Sequence, residues 1–143
     1  MDSLDGNGID EVLTSTSYGF LGLARDDTPY VIPMSFGYDG DALYFQMNFQ
    51  GRKSDCIGEN AAAAFAVLSI DPATGVSKSV LVEGELSEVR GDDRTPAFEA
   101  LAANAEFGTS LDIWRSPLEE TNLTLFELPP TDITGRVFGE ETI

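Results

Sequence analysis

Apolar and polar residues alternate with a period of two over much of this chain, which is the signature of strands with one buried face. Tyr18–Arg25 (YGFLGLAR) is predicted as a strand, with a turn at Asp-Asp-Thr after it. Pro29–Tyr38 (PYVIPMSFGY) is predicted as a second strand. Asp39–Asp41 (DGD) reads as a hairpin turn, because Asp-Gly suits positive backbone angles. Ala42–Asn48 (ALYFQMN) returns as a third strand, Ala62–Ile70 (AAAFAVLSI) is a fourth, and Ser77–Val89 is a long fifth with a bulge expected at Gly84. Leu123–Leu128 (LTLFEL) closes the series, and Asp132–Gly139 adds a short strand.

Only two stretches carry helical spacing. Ile9, Val12 and Leu13 share one helical face, with Asn7 as the expected cap and Asp10 completing part of a capping box. A second helix is predicted from Thr95-Pro96, burying Phe98, Leu101, Ala102 and Ala105 and stopping by Gly108. Hairpin-joined strands with few helices predict a mainly β, antiparallel barrel, and 143 residues without a repeat or linker fit a single domain.

Composition narrows the chemistry. There is no histidine, so Ser-His-Asp, Cys-His and His-metal sites are excluded. The acids follow no EF-hand spacing, and no Walker-type glycine loop is present. Chemistry is therefore brought by a cofactor or is absent. The single Cys56 permits no internal disulfide and reads as a packed thiol. The longest apolar run, AAAAFAVL, is too short for a membrane helix, and the acidic N-terminus is unlike a signal peptide; a cytoplasmic location is expected. The formal charge of −17 is spread along the chain, and Lys53 and Lys78 are its only lysines. That balance resembles the proteins of salt-accumulating halophiles, with an ordinary acidic cytosolic protein as the alternative, and in either case argues against nucleic acid as a partner.

Two local features invite a functional reading. Pro33, inside VIPMSF, lacks the N–H that a strand ladder uses. An interruption there would free backbone groups of Ile32, Met34 and Ser35 for the edge of a flat heteroaromatic ring. A plain edge strand is the better reading of these residues alone. The second feature is GRKSDCIGEN after the third strand, which places two of eight cations, Arg52 and Lys53, side by side behind Gly51. A short helix starting there would present free N–H groups to a phosphate, and the two side chains would add a planar fork and a compact charge. By itself the pair is more often the mark of a solvated surface than of a phosphate site.

The order of these pieces, with the V-x-P strand, the aromatic strand ending in YFQMN, the GRK step and the VEG strand, resembles the flavin-binding split-barrel family related to pyridoxamine 5′-phosphate oxidase. The resemblance runs from about Tyr18 to Val89 and is strongest to the small oxidase-like, nitroimidazole-reductase-like branch. It implies a six-stranded antiparallel split β-barrel that forms a homodimer with FMN at the subunit interface. It further implies that Arg52 and Lys53 hold the phosphate, and that Phe45, Gln46, Met47 and Asn48 line the ribityl and ring path. Ile32, Pro33, Met34 and Ser35 would flank the isoalloxazine, and Ser79 would contact it. An FMN-dependent oxidoreductase acting on a small molecule is the expected function.

The absence of histidine sets the chain apart from relatives that carry one near Gln46–Met47, so vitamin oxidation and histidine-ligated haem degradation are not expected. A cation near the pyrimidine end is expected from Lys78 or Arg115, and Trp114–Pro117 either covers the flavin or packs under a loop. No catalytic acid or base is identified. A deazaflavin-dependent reductase, a non-catalytic flavin module and a purely structural dimer are the alternatives.

Overall fold

The computed structural model describes residues 2–48, 61–104 and 123–139. The first element after a two-residue strand β1 (Asp2–Ser3) is helix α1 (Gly6–Ser15). Its cap is Asp5, not Asn7: the Asp5 carboxylate accepts from the Gly8 N–H at 2.8 Å, satisfying one of the helix's unpaired donors. Asn7 lies inside the first turn. Ile9, Val12 and Leu13 are buried as their spacing predicts.

Among the described residues, ten strands form two sheets. The six-stranded sheet has the order β1, β10 (Pro130–Phe138), β7 (Ser77–Glu85), β6 (Ala62–Ile70), β2 (Tyr18–Arg25), β3 (Thr28–Ser35). The four-stranded sheet has the order β4 (Gly37–Tyr38), β5 (Leu43–Asn48), β9 (Leu123–Leu128), β8 (Ser87–Glu88). All pairings are antiparallel. The β2–β3 hairpin turns on Asp26 and Asp27, both with positive φ (51° and 62°), the backbone that tight hairpin loops require.

Two predicted strands turn out to be corners. Pro29–Tyr38 divides at Phe36, so that β3 stays in the larger sheet and β4 joins the smaller. Phe36 is fully buried at the bend, its ring 5.1 Å from that of Phe65 in an edge-to-face contact. Ser77–Val89 likewise divides at Leu86 into β7 and β8. A third passage, from β9 to β10 through Pro129, completes the set of strands that change sheets, which is how two sheets close toward a split barrel. The bulge expected at Gly84 lies on its partner instead: the register of β10 shifts between Pro130 and Asp132 while β7 pairs with β6 unbroken. Gly84 is needed for proximity, since a Cβ there would stand 2.4 Å from the Pro129 carbonyl oxygen.

The core sits between the sheets. Leu21, Phe65, Val67, Val80 and Val82 meet Leu43, Phe45, Met47 and Leu128, and α1 closes one end with Val12 and Leu13. A second cluster lies behind the smaller sheet, where Ala42, Tyr44, Val89 and Leu125 pack under helix α2 (Arg94–Asn104). That helix starts at Arg94, after a short helical turn at Gly91–Asp93, rather than at Thr95. Its buried residues are Ala97 and Ala100, with Leu101 packed against them; Phe98 and Ala102 face outward, and Ala105 and Gly108 lie outside the described residues. The cause is a close backbone approach: a Cβ on Gly37 would meet Ala100 C at 2.5 Å. Only alanine-sized side chains fit that contact, so phenylalanine is turned away. Asn104 then ties the helix end down, donating to the carbonyls of Thr16 (2.9 Å) and Phe36 (3.0 Å).

The other face of the six-stranded sheet is left open. Eight large hydrophobic residues are exposed among those described, and all but Phe98 belong to strands of this sheet: Tyr18, Phe20, Val31, Leu68, Ile70, Leu81 and Phe138. Their alternation with the buried positions puts them together on the side away from the core. No helix among the described residues is long and apolar enough to cross a membrane.

Candidate functional site

The open face is organised by register. One row runs across five strands as Pro33–Phe20–Ala66–Leu81–Thr134, and the next continues as Leu68–Ser79–Arg136. Pro33 is on β3, the edge of this sheet, which agrees with the plain edge-strand reading: the missing N–H costs no ladder bond on the outer side. The four β3 candidates alternate. Ile32 and Met34 pack partly against the core, while Pro33 and Ser35 lie on the open side. Ser79 occupies the same open face, but three strand spacings, ~14 Å, separate the Pro33 position from β7. One chain therefore offers the two groups as separate patches.

On β5 the side chains of Phe45 and Met47 are enclosed in the core, at 0% and 1% exposure. A ligand on that strand would meet the half-buried Gln46 side chain, which lies on the opposite side, or backbone groups. Asn48 ends β5, paired in register with Leu123. Arg52, Lys53 and Cys56 follow directly but lie outside the described residues, as do Trp114 and Arg115.

Lys78 does not serve the face that carries Ser79. Neighbouring residues of a strand point to opposite sides, and Lys78 approaches Glu11 of α1 on the core side at 3.9 Å. Arg136, which sequence reasoning did not single out, shares the face that carries Ser79. It pairs in register with Ser79, is exposed, and stands on the open side. Alternation within TGRVF could have placed it there, but only with the β7–β10 pairing known.

Polar groups at the β4–β5 turn serve the fold. Burial alone would raise the Asp39 carboxyl, but its hydrogen bonds from the Ala42 and Asp41 N–H groups (2.9 and 2.8 Å) and the Tyr44 hydroxyl (2.9 Å) outweigh this and hold it below the ordinary value. Burial and a bond to Asp39 push the Tyr44 phenol above the usual tyrosine range, and burial with a 2.5 Å bond to Asp10 does the same for Tyr38. A cleft of about 260 Å³ between β8 and α2 has Tyr44, Arg90, Glu88, Asp93 and Glu127 on its walls, but gathers none of the predicted site residues. Among the described residues no group of histidine, cysteine, aspartate or glutamate is arranged to hold a metal ion.

A family model described as pyridoxamine 5′-phosphate oxidase matches residues 5–137. The chain belongs to that family. The fold agrees: a FAD-binding protein from Mesorhizobium loti superposes with a TM-score of 0.78 at 24% identity, covering 96% of this chain and 97% of its own. A protein from Bacteroides thetaiotaomicron proposed to confer 5-nitroimidazole antibiotic resistance gives 0.77 at 21% identity, covering 96% and 87%. A FAD-binding protein from Mycobacterium smegmatis gives 0.73 at 20% identity, covering 96% and 99%. At these identities the likeness is one of fold. Curated proteins yield no match to the sequence. Membership in the pyridoxamine 5′-phosphate oxidase family thus rests on residues 5–137, beyond the Tyr18–Val89 stretch whose motifs first suggested it.

Proposed function

We propose that this protein is an FMN-binding member of its family that works as a homodimer, with the flavin lying between two copies and serving reduction of a small molecule. The observation that carries the reading is the open face of the six-stranded sheet. A chain of charge −17 that leaves seven large apolar residues together in water has a surface built to be covered. Covering by a second copy also answers the separation of the site residues, since the Pro33–Ser35 patch of one chain and the Ser79 patch of the other can then share one ligand.

The residues present fit a flavin. Pro33 and Phe20 offer flat apolar surface beside it, and the β3 edge offers backbone groups to a ring's polar rim. Arg52 and Lys53, following Asn48, would hold the phosphate, with Gln46 toward the ribityl chain. The flavin, when bound, supplies the hydride and electron chemistry. The chain's own residues bind it, orient it and exclude water.

The test is a flavin titration in high salt of wild-type protein and Arg52→Ala. Loss of one charge-assisted contact should weaken FMN by about ten- to a hundredfold, while riboflavin, which lacks the phosphate, keeps its affinity. Equal FMN affinity in both proteins would remove Arg52 from the site. Failure of the wild type to take up any flavin defeats the reading, and uptake of a deazaflavin in its place identifies the alternative cofactor.

A further inference from the structure

The cleft between β8 and α2 adjoins a second one, of about 240 Å³, which shares its Glu88, Val89 and Arg90 wall and continues to Arg94 and Thr124. The two differ in charge. The first carries three carboxylates against one guanidinium, whereas the second carries two guanidinium groups, Arg90 and Arg94, against the single carboxylate of Glu88. Two of the eight cations in a chain of charge −17 thus stand on one small hollow. Backbone geometry brings them there. Gly91 has a φ of 63°, a left-handed turn that a side chain would strain, and the Arg94 N–H donates to the Gly91 carbonyl. The chain therefore passes from β8 into α2 through one tight turn, with an arginine on each limb. The Val89 N–H, donating to the Leu125 carbonyl at 2.8 Å, fixes the strand limb to β9.

Neither guanidinium is saturated. Each has a planar fork of N–H donors. Arg90 gives one of them to Glu88 at 2.8 Å. Arg94 sits 5.9 Å from the centre of the Phe98 ring and has no carboxylate within ion-pair distance among the described residues. We propose that this cleft is a ligand site for a small dicarboxylate, separate from the face assigned to the flavin. One fork matches one carboxylate with two parallel N–H bonds, so two forks on adjoining walls match a ligand that has two. The Thr124 hydroxyl adds a further polar group beside them. Size and lining narrow the class. The hollow is smaller than drug-sized sites, and Val89 and Leu125 beneath it are themselves buried, so it offers little apolar surface. A fatty or aromatic acid gains little there over a short polar diacid. The site stands whether or not the chain binds flavin.

Succinate is the probe, titrated in molar KCl into the isotope-labelled full-length chain and followed by amide chemical shifts. The Debye length near 1 M is only about 3 Å, so direct contacts dominate what is read. Saturable shifts should centre on Arg90, Gly91 and Thr124. The succinate Kd should rise about tenfold or more in Arg90→Gln and in Arg94→Gln, as expected for one charge-assisted bond. Both arginines are exposed, so these variants should keep the wild-type Tm. Lys78→Gln removes the same charge beside Glu11 of α1 and should leave the Kd unchanged. Succinamate, with one carboxylate replaced by an amide, should bind about tenfold more weakly than succinate. An unchanged succinate Kd in either arginine variant overturns the proposal, and so does an equal rise in Lys78→Gln, which would assign binding to net charge. Equal affinity for succinate and succinamate overturns the dicarboxylate assignment, as does inorganic phosphate binding more tightly than succinate. Wild-type shifts that never saturate, or that centre elsewhere in the chain, overturn it too.

Discussion

Replacing Gly37 with alanine tests whether the close approach of α2 to β4 organises the fold. A Cβ at Gly37 would lie 2.5 Å from Ala100 C, 2.5 Å from Leu101 N and 2.7 Å from Ala100 O. Carbon atoms pack best near 3.5–4.0 Å, so the helix must retreat by roughly 1 Å. All three neighbours are backbone, and no rotamer change relieves them. Retreat also strains the Asn104 bonds to Thr16 and Phe36 and loosens Ala97 and Ala100 from Tyr44, Val89 and Leu125. Overpacking of a tight core costs about 1–3 kcal/mol, and a contact with no flexible partner belongs at the upper end. For a domain of this size that corresponds to a fall in Tm of roughly 10 °C. Thermal unfolding followed by circular dichroism in molar KCl measures it. Gly6→Ala is the control, because nothing lies within 4 Å of its Cβ and its helical position favours alanine. A Gly37→Ala protein as stable as wild type, or as stable as Gly6→Ala, would refute the packing argument.

Three further outcomes are expected. Asp5→Ala should lower stability by about 1 kcal/mol through loss of the bond to Gly8, read by urea unfolding, whereas Asn7→Ala should cost less. Asp39 is more acidic folded than unfolded, so its contribution is complete above its ordinary value of 3.8 and is lost as pH falls through the lower folded value; the stability gap between wild type and Asp39→Asn should be constant near neutrality and shrink under acid. FMN should bind more tightly in molar KCl than in dilute buffer, because the Debye length near 1 M is only about 3 Å and repulsion from the acidic chain is screened while direct contacts persist; an affinity that falls steeply with salt contradicts this.

The residues that ended strands cleanly were legible. Tyr18–Arg25, Ala62–Ile70 and Leu123–Leu128 appear with the bounds their alternation predicts, because turn residues or a change of period close each one. Phe36 and Leu86 hid the corners, since an apolar residue buried at a bend looks the same as one buried in a continuous strand. The face of α2 was misjudged for a related reason: size favours burying Phe98, but the backbone of Gly37 admits only alanines, and that contact spans more than sixty positions in the chain. On the open face, the rows that hold Pro33, Ser79 and Arg136 depend on the pairing of β2 with β3 and of β7 with β10, which no local pattern carries. Lys78 was within reach of sequence reasoning: a period of two sets it opposite Ser79.

The claim on which the account depends is that two chains close over a flavin at the open sheet face. Sedimentation velocity in molar KCl, recorded at both protein and flavin absorbance, tests it directly. The account predicts flavin migrating with a dimer at one per chain, and Leu68→Asp, which puts a charge in the middle of the exposed face, producing single chains that release it. Flavin travelling with a monomer, or a Leu68→Asp dimer that still carries it, would contradict the account.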